Sequence, residues 1–232
     1  MASNLCSELG RILHVDDDAK KLGIFVSYTI SWLVEEKPFA SYPFEDDVKN
    51  LLDYLKNRYT LDSLKNDAVV RAYRDFFWRI GIDPTKVRPA SEALVRRGLR
   101  GSFPRISPVV DAGNIASAYT MVPIGMYDLA YASPPFRITI SRGGEVFKPI
   151  GGGEERLGKG IPIFVDSKNL VMHIYPHRDS VETMIRNTTR EVLIVGAGVP
   201  NVETNLVKKA VEIVAQLLEK IGWSWCRYIE LK

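Results

Sequence analysis

Arg71–Ala130 reads RAYRDFFWRIGIDPTKVRPASEALVRRGLRGSFPRISPVVDAGNIASAYTMVPIGMYDLA, and three helix-like segments follow one another across it. The first starts at Asn66, a residue type whose side chain accepts from the free amides of a helix start, and runs to Ile80 before Gly81 stops it. Val69, Tyr73, Phe76, Phe77 and Ile80 mark its inward face. Asp83-Pro84 forces a turn. Pro89 suits the first turn of the next helix, which Gly101 ends, and Ser107-Pro108 opens another that runs to about Tyr119. Val122–Leu129 then reads as a tight loop.

Working outward, Gly23–Val34 (GIFVSYTISWLV) is rich in β-branched and aromatic residues and reads as a strand. After Pro38 and Pro43, a helix is expected over Glu45–Arg58, with Val48, Leu51, Leu52 and Leu55 on one face. Beyond Pro134-Pro135 the pattern changes to short strands over Arg137–Ser141, Glu145–Lys148, Ile161–Asp166, Asn169–Tyr175 and Glu191–Val195. Gly143-Gly144, Gly151–Gly153 and Ser167-Lys168 supply turns between them. The last long helix is expected from Asn201 to Gly222, and Trp223–Leu231 closes as a strand. Helices gathered early and strands gathered late, with no repeat or linker, point to an α+β fold. Several helices should pack on a mixed β-sheet, in one domain over residues 1–232.

Composition sets loose bounds. The 232 residues are 46% hydrophobic and 25% charged, ordinary values for a globular chain. MASNLCSELGRILHVDDD lacks an apolar signal-peptide core, and no run approaches membrane-spanning length, so a cytoplasmic protein without membrane contact is expected. Cys6 and Cys226 lie at opposite ends without metal-ligand spacing. They read as free thiols in a reducing compartment, with a disulfide between them left open.

Net charge is only +3, so any case for an anionic partner rests on where the cations sit. Lys86, Arg88, Arg96, Arg97, Arg100 and Arg105 face Glu92 alone within about twenty residues, and Arg96, Arg97 and Arg100 fall near one another on one helix. A solvated helix face would also explain them. The other motifs carry less. His173 and His177 have the H-x-x-x-H spacing, but Pro176 lies between them and no nearby Glu or Cys completes a zinc set, so they read as ordinary surface or loop histidines and no metal is expected. Val195–Asn201 (VGAGVPN) lacks the third glycine of a dinucleotide fingerprint. It reads as a tight strand-to-helix turn with Asn201 as N-cap. Gly151–Gly153 reads as a hairpin turn rather than a phosphate loop, and Asp16–Asp18 as a solvated acidic turn. No cofactor is expected.

The run PRISPVVDAGNIASAYTMVPIGMYDLA resembles the B3/B4 domain of the phenylalanyl-tRNA synthetase β subunit, which carries that enzyme's editing site. RAYRDFFWRIGIDPTKVRPASEALVRR, FKPIGGGEE and NTTREVLIVGAGVP resemble the free-standing B3/B4 proteins still more. The resemblance covers about 59–218, with residues 1–60 as an extension. It implies a pocket for the aminoacyl end of a charged tRNA, with Asn114, Pro123, Ile124, Gly125, Tyr127 and Asp128 lining it. Arg88, Arg96, Arg97, Arg100 and Arg105 would then hold RNA phosphate, and no DNA partner is implied. Two positions depart from the family. Its editing histidine falls on Gly125, and its glutamate falls approximately on Val195. The catalytic residues are therefore unassigned, and the stabilisation of an ester's oxyanion falls to amides near Gly125, to Asn114 or to the ribose hydroxyl. The expected function is recognition of aminoacyl-tRNA, with hydrolysis of mischarged tRNA in trans left open. The alternative is a non-catalytic module for a free amino acid or similar metabolite. A third reading is a protein-interaction domain that uses the basic face.

Overall fold

The computed structural model describes residues 5–232; Met1–Asn4, the start of the segment read above for a leader, lie outside the described residues. A 3₁₀ turn over Cys6–Arg11 leads into β1 (Leu13–Val15), the short helix α1 (Asp17–Lys21) and the long strand β2 (Phe25–Leu33). Four helices follow: α2 (Glu45–Arg58), α3 (Ala68–Arg79), α4 (Ala90–Leu99) and α5 (Pro108–Thr120). Then come β3 (Ile124–Asp128), β4 (Phe136–Ile140), β5 (Val146–Phe147), β6 (Glu155–Arg156), β7 (Pro162–Val165), β8 (Val171–Ile174), β9 (Arg178–Asp179) and β10 (Glu191–Gly198). Helix α6 (Thr204–Lys220) and strands β11 (Trp223–Trp225) and β12 (Glu230–Leu231) finish the chain. The fold is α+β.

Two sheets form the body. The central one runs β11-β2-β10-β3, with β12 also on β2, and a second runs β1-β4-β7-β8-β9; β5 and β6 make a separate hairpin. Side chains alternate along β10 and so split the core in two. Val192 and Ile194 meet α2, α5 and α6 on one face. Leu193, Val195 and Ala197 meet the second sheet's Phe136, Phe164 and Met172, together with Tyr73, Phe76 and Phe77 of α3, on the other. Three buried tyrosine hydroxyls tie the layers to backbone carbonyls: Tyr28 donates to Leu9 at 2.7 Å, Tyr73 to Ala197 at 2.6 Å and Tyr175 to Gly198 at 2.7 Å.

Several expectations need correction. Val122–Leu129 is largely strand: Ile124–Asp128 pairs with β10, Gly125 opposite Val195. Asp67, not Asn66, caps α3, its carboxylate accepting from the amides of Val69 and Val70. Gly196 and Gly198 lie inside β10 rather than in a turn. A side chain at Gly196 would press on Val207 and Val211 of α6, so glycine there permits the helix's close approach. Asn201 adopts a left-handed conformation (φ +67°) and the residue ahead of α6 is Glu203. Asp17 and Asp18 open α1. Finally, Cys6 and Cys226 form a disulfide across a sequence separation of 220, not two free thiols.

Candidate functional site

Helix α5 and strand β3 pack against each other and leave a cavity of about 240 Å³ at their edge. Ser107 caps α5 by accepting from the Val110 amide, and Asp111 fastens its start by accepting from the Ile106 amide and the Tyr42 hydroxyl. Two residues further on, Gly113 keeps the helix surface low where Met126 of β3 crosses it. The next residue, Asn114, lines the cavity. Strand β3 contributes Ile124, Met126 and Tyr127, while Ile106 and Ile150 form an exposed apolar rim. Ile150 is held there by its amide, which donates to the Asp179 carbonyl.

The segment from Asp179 to Ile185 closes the far side, and it brings most of the polarity. Thr183 is fully buried, and among the described residues its hydroxyl has no hydrogen-bond partner. Asp179 reaches the cavity beside His173, whose Nδ1 lies 2.8 Å from its Oδ1. Burial, with the Asp179 carboxylate adjacent, pushes the Tyr127 hydroxyl well above its ordinary value. A second chamber of about 40 Å³ lies behind, lined in part by Pro123, Gly125, His173, His177 and Val195.

The sequence-derived pocket residues are thus divided. Asn114, Ile124 and Tyr127 line the larger cavity, and Pro123 and Gly125 the smaller one, which Ile124 and Tyr127 also touch. Asp128 lines neither. Its carboxylate accepts from the Thr189 hydroxyl at 2.6 Å and the Ala130 amide at 2.9 Å, so it fastens the turn after β3. Gly125 leaves no open space, because the Tyr127 ring lies over it; an added Cβ would sit 2.7 Å from Tyr127 Cζ. His173 is no surface residue, at 8% exposed. Among the described residues no cluster of metal-ligating side chains occurs.

The basic cluster also changes in three dimensions. Glu92, the single acid in the sequence window, is fully buried and accepts from Arg74 through two nitrogens at 2.8 and 2.7 Å and from Arg96 Nε at 2.8 Å. Burial opposes its charge, yet the Arg74 and Arg96 hydrogen bonds hold its carboxyl below the ordinary value. Arg88 stands 3.9 Å from the same carboxylate, and Arg105 pairs with Glu45 at 2.8 Å while covering the Tyr42 ring. Arg97 and Arg100 remain exposed, with no ion pair among the described residues. Arg74 comes from another helix, so the window's six-to-one imbalance missed it.

The frame is thus α+β, with a small, mostly apolar cavity between helix α5 and the edge strand β3. The chain belongs to the B3/4 domain family, whose model matches residues 72–222. Among solved structures it is similar to an N-terminal fragment of the phenylalanyl-tRNA synthetase β-subunit from Pyrococcus horikoshii. The identity is 16% and the TM-score 0.49, and the match covers 92% of this chain and 50% of that one. The chain spans about half the length of that fragment. No curated protein matches the chain. Among the described residues no helix is long and apolar enough to cross a membrane.

Proposed function

We propose that the cavity receives the aminoacylated 3′ end of a tRNA. The observation that carries this reading is its polar inventory. The walls are largely aliphatic or thioether, and the polar residues lining it are Asn114, Tyr127, Asp179, Ser180 and Thr183; among the described residues no cation lines it. A carboxylate and an amide carbonyl suit an ammonium group. Asp179, held by His173 Nδ1 and beside the Tyr127 hydroxyl, is the acidic side chain at the cavity. A free amino acid would also bring in a carboxylate, and burying that anion without a cation is costly. In an ester that charge is absent, which favours an aminoacyl ester over the free metabolite.

The size supports the same reading. About 240 Å³ falls below the roughly 300–1,000 Å³ of sites for drug-sized ligands, and suits one amino-acid-sized group. Arg97 and Arg100 are the exposed arginines of the cluster left for RNA phosphate, while Arg88 and Arg105 already face Glu92 and Glu45 and Arg96 is turned inward on Glu92.

Calorimetry with a non-hydrolysable aminoacyl-adenosine amide should show binding, and the matching free amino acid should bind at least about tenfold more weakly, a difference of about 1.4 kcal/mol. Asn114→Ala should weaken the analogue by about 1–3 kcal/mol. Affinity for tRNA should fall steeply with salt, and removing Arg97 or Arg100 should each lower the log–log slope by about 0.7–0.9. Equal affinity for the free amino acid, with no salt-dependent tRNA binding, would put the metabolite reading first.

A further inference from the structure

The chamber behind the cavity carries chemistry that binding leaves unused. Its volume of about 40 Å³ exceeds the roughly 10–15 Å³ a cavity needs to hold a water molecule. It shares Ile124, Tyr127 and Asp179 with the larger cavity, so the two meet at a common wall. His173 and Asp179 are cross-strand partners on β8 and β9, and the ladder itself therefore sets the pair. A carboxylate oxygen only accepts, so Nδ1 at 2.8 Å carries the proton and Nε2 is left as the ring's acceptor. The rings of Tyr127 and Tyr175, with centroids at 6.3 and 6.2 Å, hold the imidazole in place.

The charged and titratable groups around His173 come from two strands and one turn. Asp179 faces it from β9 and Tyr127 from β3, while Tyr175 and His177 follow it in the chain, with Arg178 beside His177. Burial, with Arg178 and His173 nearby, pulls His177 down to about 4, so that ring stays neutral near pH 7. The Tyr127 and Tyr175 hydroxyls are pushed well above their ordinary value, chiefly by burial, and stay protonated. Asp179 is the acidic side chain in contact with His173.

We infer that His173 is a catalytic general base, positioned by Asp179, that hydrolyses an acyl ester held in the adjoining cavity; this rests on the aminoacyl-ester reading above. Nε2 takes a proton from the chamber water as the water oxygen bonds to the acyl carbon, and the carbonyl π electrons move onto the carbonyl oxygen. When the carbonyl re-forms, the bond to the ribose oxygen breaks, and that oxygen receives the proton from the imidazolium. One water is consumed; the products are a free amino acid and a free ribose hydroxyl. Asp179 keeps the tautomer and stabilises the imidazolium.

The test measures two quantities on the same protein: binding of the non-hydrolysable aminoacyl-adenosine amide, and deacylation of leucyl-, methionyl- and phenylalanyl-tRNA. His173→Gln should bind the analogue about as well as wild type, yet deacylate at least about 100-fold more slowly, the lower end for general-base catalysis. Should His173→Ala fold with the same melting curve, added imidazole should restore part of its rate. Asp179→Asn should lower kcat by a larger factor than it raises KM. Wild-type deacylation by His173→Gln would overturn the inference and leave the binding reading standing. So would binding of the analogue by a wild-type protein that cleaves none of the three esters. No binding of the analogue by wild type would remove the binding reading and this inference together.

Discussion

Arg96→Gln separates an arginine that holds the fold from arginines that face solvent. Arg96 is 14% exposed and donates Nε to a carboxylate that is fully buried. The substitution removes one charge-assisted hydrogen bond while Arg74 keeps both of its own, so the loss should be about 1.5–3 kcal/mol. For a chain of this size that lowers the melting temperature by about 3–12 °C. Arg97→Gln and Arg100→Gln, at exposed positions, should stay within about 0.5 kcal/mol of wild type. The pH dependence has a definite sign. Glu92 in the folded protein lies below its ordinary 4.5. Its contribution is therefore fully present above pH 4.5 and is lost as pH falls through the folded value. Calorimetric melts at neutral pH and along the acid limb would read both effects, and Arg96→Gln should show the shallower acid limb. A melting temperature equal to wild type, or an equal loss in Arg97→Gln, would refute the reasoning.

Two further predictions concern packing and covalent linkage. Gly125→Ala places a Cβ 2.7 Å from Tyr127 Cζ and 2.9 Å from Cε2, so the ring must shift, at a cost of about 1–3 kcal/mol in denaturant midpoint measurements; unchanged stability would show that the ring does not fill that space. Replacing Cys6 and Cys226 together by serine should cost about 2–4 kcal/mol, and reductant should produce the same drop in wild type. Two titratable thiols in the native, unreduced protein would contradict the linkage.

Local pattern made much of the helical layer legible. Val48, Leu51 and Leu55 recur at helical spacing and are buried on α2, and Ser107-Pro108 announces the start of α5 because cap and first-turn residue are adjacent in sequence. The failures have a common cause in tertiary context. Gly125 looks like a turn residue, yet pairing with β10 makes a strand of Ile124–Asp128, and the alternation of Ile124 and Met126 against Gly125 and Tyr127 was the available signal. Gly196 resembles a fingerprint glycine because sequence does not show α6 lying across it. Asn114 was legible as a cavity-lining residue because a resemblance named it. The His173–Asp179 pair was not, since it depends on the register of a hairpin that closes at Pro176 and His177. Nor was the Glu92 network, because Arg74 reaches it from another helix.

The central claim is that the space between α5 and β3 takes an aminoacyl group, and a crystal structure with the non-hydrolysable aminoacyl-adenosine amide tests it most directly. The account predicts the side chain against Met126 and Ile124, and the ammonium within hydrogen-bond reach of Asn114 and Asp179. Analogue density elsewhere on the protein, with this cavity holding only solvent, would contradict it.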